Sequence, residues 1–546
     1  MKANTSCKAN AYKKTANNSK PICWLEIGLL LLIVSVLSLQ TLSLANPMTN
    51  PPSRDGGFFL YVGKSLRSGA TLYADIWDSK GPLIFWINAL GVGTDFSRWG
   101  VFLIELIFWA GSLLISFWVI RRQFGRLPAL GTILIGSLLL NLVIGQGNST
   151  EEYSLLFTWV GIAALTMLTA NHRKIFWPFF LMGFTIMLNF LLRANNIGTQ
   201  AVVILVAFLY AFSKRRETKF WHAIIYLLFG ALTVAIPTSV YFIINKTFSA
   251  MIDASIIYNF AYSTARGNPF SNSLGSALVI FKRWFYVLIV IWILAITQLF
   301  IGPKRKEFTP FLFLIVFALP IEALMSSISG RGYGHYFICW IPAYMLLVAF
   351  GFSLAQFELF SKKFLRKFET RSYSLILGAL LLGLLSIGYS YRSVYDAAKY
   401  FAGSVLRPNI NREFNDPVSR VVNGLTDESD KVLVFGGQAG INIMSQRDSI
   451  NGALFYPAIN NSDIGLEVQS KYFENLQNEQ PLLILDGHSF YPEQIPGIDP
   501  LARKNQRFVV SFSENLEQVM EWINENYERY DEANGYIIYR LRSPSQ

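Results

Sequence analysis

The sequence predicts a polytopic α-helical membrane protein of about eleven transmembrane helices with a small C-terminal α/β extracytoplasmic domain. Three observations predict it. Apolar residues make up 52% of the 546-residue chain, only 15% is charged, and the apolar residues gather into runs of about 17–25, the length that crosses a hydrocarbon core. Lysine and arginine cluster in every second connection between these runs. Beyond Tyr391 the apolar runs shorten and become β-branched, as in buried strands.

Residues 1–24 read as a basic cytoplasmic tail carrying Lys13, Lys14 and Lys20. The apolar stretch from Ile22 to Ala45 is longer than the 7–15-residue core of a secretory signal, so it is expected to remain as the first span, 25–45. Further spans are expected at 99–119, 128–146, 154–170, 175–192, 197–212, 221–244, 283–301, 309–328, 336–355 and 374–392. Unpaired backbone groups are not tolerated in lipid, so each of these runs should be helical.

The odd-numbered spans follow the tail, RRQFGR (121–126), NHRK (171–174), SKRRETK (213–219), GPKRKE (302–307) and SKKFLRKFETR (361–371), all basic. These ends belong in the cytoplasm. The opposite connections, 46–98, 146–153, 193–196, 245–282 and 329–335, carry scattered charges and should face outwards. The segment from Pro82 to Gly93 is too short to span and reads as an interfacial or re-entrant helix. The expected organisation is thus a membrane domain, 25–392, and a soluble domain, 393–546, that includes strands at 431–437 and 481–487 and helices near 465–478 and 512–528.

The net charge of +12 does not mark a nucleic-acid binder, because the cations lie in short orienting segments. Cys7, Cys23 and Cys339 form neither a disulfide framework nor a metal spacing.

The first outward loop, 46–98, is long and dense in function-capable residues: Arg54, Asp55, Lys64, Arg67, Asp75, Asp78 and Lys80 with Tyr61, Tyr73, Trp77 and Trp86. Long ordered loops tend to be functional. Carboxylates next to fixed cations at a lipid surface suit binding of a lipid phosphate and deprotonation of an acceptor. The stretch DGGFFLYVGKSLRSGATLYADIWDSKGPL, with Asp55, Tyr61, Gly69, Tyr73, Asp75, Lys80 and Pro82 in order, resembles the first periplasmic loop of the GT-C superfamily. That superfamily comprises polytopic transferases using polyprenyl-phosphate-linked sugars, including aminoarabinose transferases and protein O-mannosyltransferases.

The resemblance implies that Asp55 is the general base and that Lys80, with Arg54, binds the donor phosphate. Tyr61, Tyr73, Asp75, Asp78 and Tyr336 would line the donor or acceptor loop. Many relatives carry Asp-Glu where this chain has Asp55-Gly56, so a second acid must come from elsewhere or be dispensable. Glu151 and Glu152 could supply it and hold a divalent metal ion, or could serve with Ser149 or Thr150 to cap a helix.

Arg193, with Asn195 and Asn196, either snorkels or serves a phosphate. Arg331 and His335, in GRGYGHYF, would either add donor-phosphate contacts or form a positive turn with aromatic anchors, and the loop at 258–270 with Asn259, Tyr262 and Arg266 would lie near the donor. Glu105 and Glu322 are carboxylates within spans, either functional or helix–helix partners. In the soluble domain FGGQAG (435–440) lacks the dinucleotide-binding spacing, and His488 stands alone.

The expected function is transfer of a sugar from a polyprenyl phosphate to a lipid, glycan or protein acceptor at the outer face of the cell (inner) membrane, with Asp55 driving attack at the anomeric carbon and inversion. A transporter or flippase would instead use Glu105 and Glu322, but no two-fold hydropathy repeat is visible. An assembly protein presenting its soluble domain would have no need of the charged first loop.

Overall fold

The computed structural model describes residues 24–92, 97–216, 220–260, 269–300, 309–328, 332–359, 415–436, 438–452, 462–490, 492–493, 495–508 and 514–543. The described residues open with α1 (Trp24–Thr41), then a long loop containing α2 (Arg54–Arg67) and α3 (Pro82–Gly91). There follow α4 (Trp99–Phe124), α5 (Arg126–Asn141), α6 (Thr150–Ala170), α7 (Phe176–Leu192), α8 (Gly198–Ser213) and α9 (Phe220–Ile244). After the short α10 (Phe248–Ile252) come α11 (Pro269–Phe281), α12 (Arg283–Phe300), α13 (Thr309–Ser327), a 3-10 turn over Gly334–Trp340, and α14 (Ile341–Leu359).

The first ten expected spans each fall on a helical segment; the eleventh, 374–392, and Arg331, Tyr262 and Arg266 lie outside the described residues. Among the described residues six helices are long and apolar enough to cross a membrane, or seven if the bent pair 271–281 and 284–300 is one span. The helices α5, α7 and α8 have 16 or 17 residues and rise only about 24–26 Å, short of the ~30 Å hydrocarbon core. The expected short helix from Pro82 is α3, with Pro82 at its first turn and Ile84, Phe85 and Asn88 buried against α2 and α4.

The C-terminal unit contains α15 (Pro417–Leu425), β1 (Val432–Phe435), α16 (Gly440–Ser445), α17 (Asp463–Glu479), β2 (Leu483–Asp486), α18 (Pro500–Lys504), α19 (Glu514–Asn526), β3 (Tyr527–Ala533) and β4 (Tyr536–Leu541). The sheet order is β1-β2-β4-β3, with β1 and β2 parallel and the other pairs antiparallel. Every residue of β1 and β2 is buried, as their continuous aliphatic sequences require. The helix expected over 512–528 ends at Asn526, and Tyr527 starts a hairpin. Asn534 and Gly535, at φ 45° and 85°, form the two-residue turn that joins β3 to β4.

One buried polar hub ties the long loop to the bundle. Asn148, in the left-handed region at φ 53°, donates through its side chain to the Gly56 carbonyl (3.1 Å) and to Asn88 (2.8 Å). Its Oδ1 accepts from Asn88 (3.1 Å) and the Tyr153 hydroxyl (2.9 Å), while its backbone N–H donates to Glu105. Four elements, α2, α3, α4 and α6, therefore meet at one amide. At the loop's far end the buried Arg98 donates to the carbonyls of Pro47 (2.6 Å) and Asn50 (3.1 Å), closing the loop on itself.

Substituting Asn148→Ala should strand the Gly56, Asn88 and Tyr153 groups and leave alanine in a left-handed conformation. We expect a loss of about 3 kcal/mol, against about 1 kcal/mol for Tyr153→Phe. Denaturation of the detergent-solubilised full chain tests the ranking; equal effects would contradict the hub.

Candidate active site

The site grows from the first turn of α2. Ser53 caps this helix, its Oγ accepting from Gly56 N–H (2.9 Å) and donating to the Gly147 carbonyl (3.2 Å). Asp55 therefore sits in the first turn, where the helix dipole favours an anion. Burial by itself would push the Asp55 carboxyl up. The positive charges of Lys80, His335, Arg54 and Arg193, in that order, outweigh burial and hold it below its ordinary value.

Lys80 reaches this position through a tight turn. Gly81 packs against the carbonyl of Leu191, and a Cβ there would collide with it. The Lys80-Gly81-Pro82 step thus needs glycine to press against the end of α7, next to Arg193. Tyr73, at φ 66°, donates its hydroxyl to the Lys80 carbonyl (2.6 Å), and Asp78 Oδ1 accepts from the Lys80 N–H (2.8 Å). Asn259 donates to the Ser79 carbonyl (2.6 Å) from the opposite side. Burial works against the Lys80 ammonium, but Asp78 and then Asp55 hold its pKa above the ordinary lysine value. Burial and the Asp55 charge push the Asp78 carboxyl up, against the pull of Lys80. The two aspartates are displaced in opposite directions, a division suited to distinct proton-handling roles.

Arg193 closes the third side. Its guanidinium donates to Glu151 and lies 4.0 Å from the centroid of Tyr336, whose ring meets His335 edge-on at 4.6 Å. Its backbone N–H bonds Asn189, and Asn195 bonds the Met325 carbonyl (3.2 Å), so both α7 and α13 fix the turn.

The structure thus gathers Asp55, Arg54, Asp78, Lys80, Arg193, Glu151, His335 and Tyr336 at one end of the bundle. Tyr73 serves them through backbone contacts. Asp75 is exposed and accepts from the Thr71 N–H (2.7 Å), closing its own turn. Tyr61 points away, its hydroxyl accepting from Ser449 N–H (2.7 Å).

Glu151 and Glu152 do not converge on a common ion site. Glu151 is engaged by Arg193 and by the Thr150 hydroxyl (2.9 Å), whereas buried Glu152 faces Glu105. Ser149 caps α6 by accepting from Glu152 N–H (3.3 Å). No group of three His, Cys, Asp or Glu side chains is placed to hold a metal ion among the described residues.

Glu322 Oε2 accepts from Thr199 N–H (2.5 Å), satisfying the first turn of α8. In the C-terminal unit Gly440, the last residue of FGGQAG, lies against Pro52 and Gly57. His488 lies beside the buried Asp486 (2.9 Å), which raises its pKa, and Asp486 also accepts from the N–H groups of His488 and Ile498. Asn88, Asn148 and Arg98 were not apparent as site supports from the sequence. The signal was Asn88, a lone amide in the apolar helix PLIFWINALG.

A small, mostly apolar cavity of about 120 Å³ lies between α7, α9 and α10. Gly81, Pro82, Leu191 and Ala194 line one side and Met251 and Ile252 another, so it reaches the neighbours of Lys80 and Arg193.

The fold is shared with a solved structure. A structure of ArnT from Cupriavidus metallidurans bound to undecaprenyl phosphate matches with a TM-score of 0.54 at 15% identity, over 94% of this chain and 98% of that one. An Archaeoglobus fulgidus oligosaccharyltransferase tethered to an acceptor peptide matches with a TM-score of 0.45 at 12% identity, over 94% of this chain and 74% of that one. No curated protein matches the sequence. Residues 15–387 match the family described as "Putative competence-induced protein Ccs4 N-terminal domain", and the chain belongs to that family.

Replacing Gly81 with alanine should destabilise the full chain by about 2 kcal/mol, because backbone must move to admit the methyl group. Gly28→Ala, with open space around it, should not. Equal thermal midpoints for Gly81→Ala and the parent chain would contradict this packing.

Proposed function

We propose that the protein is a membrane glycosyltransferase that takes a sugar from a polyprenyl-phosphate donor and transfers it to a lipid, glycan or protein acceptor. The observation that carries this reading is the pairing of a part-buried, cation-held carboxylate with an apolar cavity that begins at the same turn. A polyprenyl phosphate has both chemistries: a hydrocarbon tail for the cavity and a phosphate for Lys80, Arg54, Arg193 and His335. Arg331, four residues before His335 in the sequence, is assigned to the same task. The likeness in fold to ArnT, solved with undecaprenyl phosphate, agrees with this assignment.

In the proposed reaction Asp55 accepts the proton of the acceptor hydroxyl or amine as that group attacks the anomeric carbon. The glycosidic C–O bond to phosphate breaks, and the electron pair leaves with the polyprenyl phosphate. In-line displacement inverts the anomeric centre. Lys80 and Arg193 stabilise the charge that grows on the leaving oxygen, from positions fixed before the reaction begins. A base for a hydroxyl needs orientation more than an extreme pKa, which the capped first turn of α2 provides.

The opposite end of the bundle carries Arg121 and Arg122 in the last turn of α4 and a Glu26–Arg126 ion pair (2.9 Å). Its basic character supports a cytoplasmic placement there and an extracytoplasmic active site. The carboxylates on which a transporter would depend have structural partners instead: Glu105 bonds Asn148 and Glu322 bonds Thr199.

Asp55→Asn should lower transfer from a radiolabelled polyprenyl-phosphate sugar by about 10²–10⁴-fold at unchanged abundance and insertion. Transfer at the parental rate would remove Asp55 as base. Lys80→Met gives a signed pH test. With Lys80 gone, burial opposes ionisation of Asp55 with less compensation, so the Asp55 pKa rises. The acid limb of the pH–rate profile should then move to higher pH; a shift to lower pH, or none, would contradict the assigned electrostatics.

A further inference from the structure

The C-terminal unit does more than sit beside the site, for it grips the loop that carries Asp55 and Lys80. Its segment 439–452 runs along that loop. Gly440 packs on Gly57, where a Cβ would lie 2.7 Å from the Gly440 backbone. One turn later the Tyr61 hydroxyl accepts from Ser449 N–H (2.7 Å), and Lys64 pairs with Asp448 (2.5 Å). These three contacts follow one face of α2, at positions 57, 61 and 64, the helical spacing of a single stripe.

The second grip is on the turn that leads to Lys80. Gly452 N–H donates to the Asp75 carbonyl (2.7 Å) and Trp77 N–H donates to the Gly452 carbonyl (3.2 Å), a one-residue parallel β-bridge between Ile76 and Gly452. Lys471 adds a bond to the Ala74 carbonyl (2.8 Å). Between the grips Ala439 and Ile443 are buried in one apolar cluster with Phe58, Tyr61, Leu72 and Ile76, so the contact has a core and not only a polar rim.

We propose that the C-terminal unit is a positioning clamp that sets the distance between Asp55 and Lys80. Resting on the reading of Asp55 as base and Lys80 as phosphate ligand, this makes Tyr61, Lys64 and Asp448 positioning residues. They touch no reacting atom. They hold α2 and the 71–80 turn in mutual register, so loosening them misplaces the base relative to the leaving group. Remote misplacement of this kind lowers turnover, since near-attack geometry tolerates little error.

The test is a charge-reversal cycle on the full chain: Lys64→Asp, Asp448→Lys and the double reversal, with Tyr61→Phe as a variant that keeps charge and shape. Amide exchange of 54–67 and 71–80 and kcat for transfer are measured on each. Single reversals and Tyr61→Phe should speed exchange in both stretches by about threefold to tenfold and lower kcat by a similar factor, and the double reversal should restore both to within about twofold. Singles that leave exchange and kcat unchanged, or a double reversal no better than the worse single, would overturn the clamp. Exchange needs no turnover, so if the parent chain transfers no sugar the functional reading fails while the clamp is still judged.

Discussion

The site depends on a single electrostatic balance. A part-buried carboxylate, Asp55, would be forced toward neutrality by its surroundings, and four cationic groups from three separate stretches of chain keep it ionised. Arg54 is its sequence neighbour, Lys80 arrives through a glycine turn, and Arg193 and His335 come from the ends of other helical segments. None of these groups can be placed without folding the bundle around the loop. Much of the unusual local structure serves that placement: the glycine pressed on Leu191, the left-handed Tyr73, and the amide of Asn148 at the junction of four helices.

The same arrangement explains why acids outnumber free roles for them. Glu151 orients Arg193 against Tyr336, Glu105 satisfies the backbone of Asn148, and Glu322 satisfies the first turn of α8. Such carboxylates look alike in a hydropathy profile. Their partners distinguish them, and those partners lie 42, 43 and 123 residues away in the chain.

What was legible in the sequence follows from what is local. Apolar run length and basic clusters located the helices, because crossing a membrane is a property of one contiguous segment. The aspartate, tyrosine and Lys80-Gly81-Pro82 pattern of the first loop was visible, whereas the reason for Gly81 was not: Leu191 is its partner, more than a hundred residues on. Tyr61 was expected in the donor or acceptor loop but bonds Ser449, 388 residues distant, through a backbone N–H that no side-chain pattern reveals. The hairpin of β3 and β4 has a local signal that its first strand masks. Asn534-Gly535 signals a two-residue turn, but the charged edge strand YERYDEA hides the alternation that would mark it.

The central claim is that the cations around Asp55 form a lipid-phosphate site at the end of an apolar cavity. Equilibrium binding of polyprenyl phosphate, compared with the uncharged polyprenol of the same length, to the full chain in lipid nanodiscs tests it most directly. The phosphate should bind at least about tenfold more tightly, equivalent to ~1.4 kcal/mol, with the preference lost when Lys80 and Arg193 are both neutralised. Equal affinity for the two lipids, or a preference that survives in the doubly neutralised chain, would contradict the account.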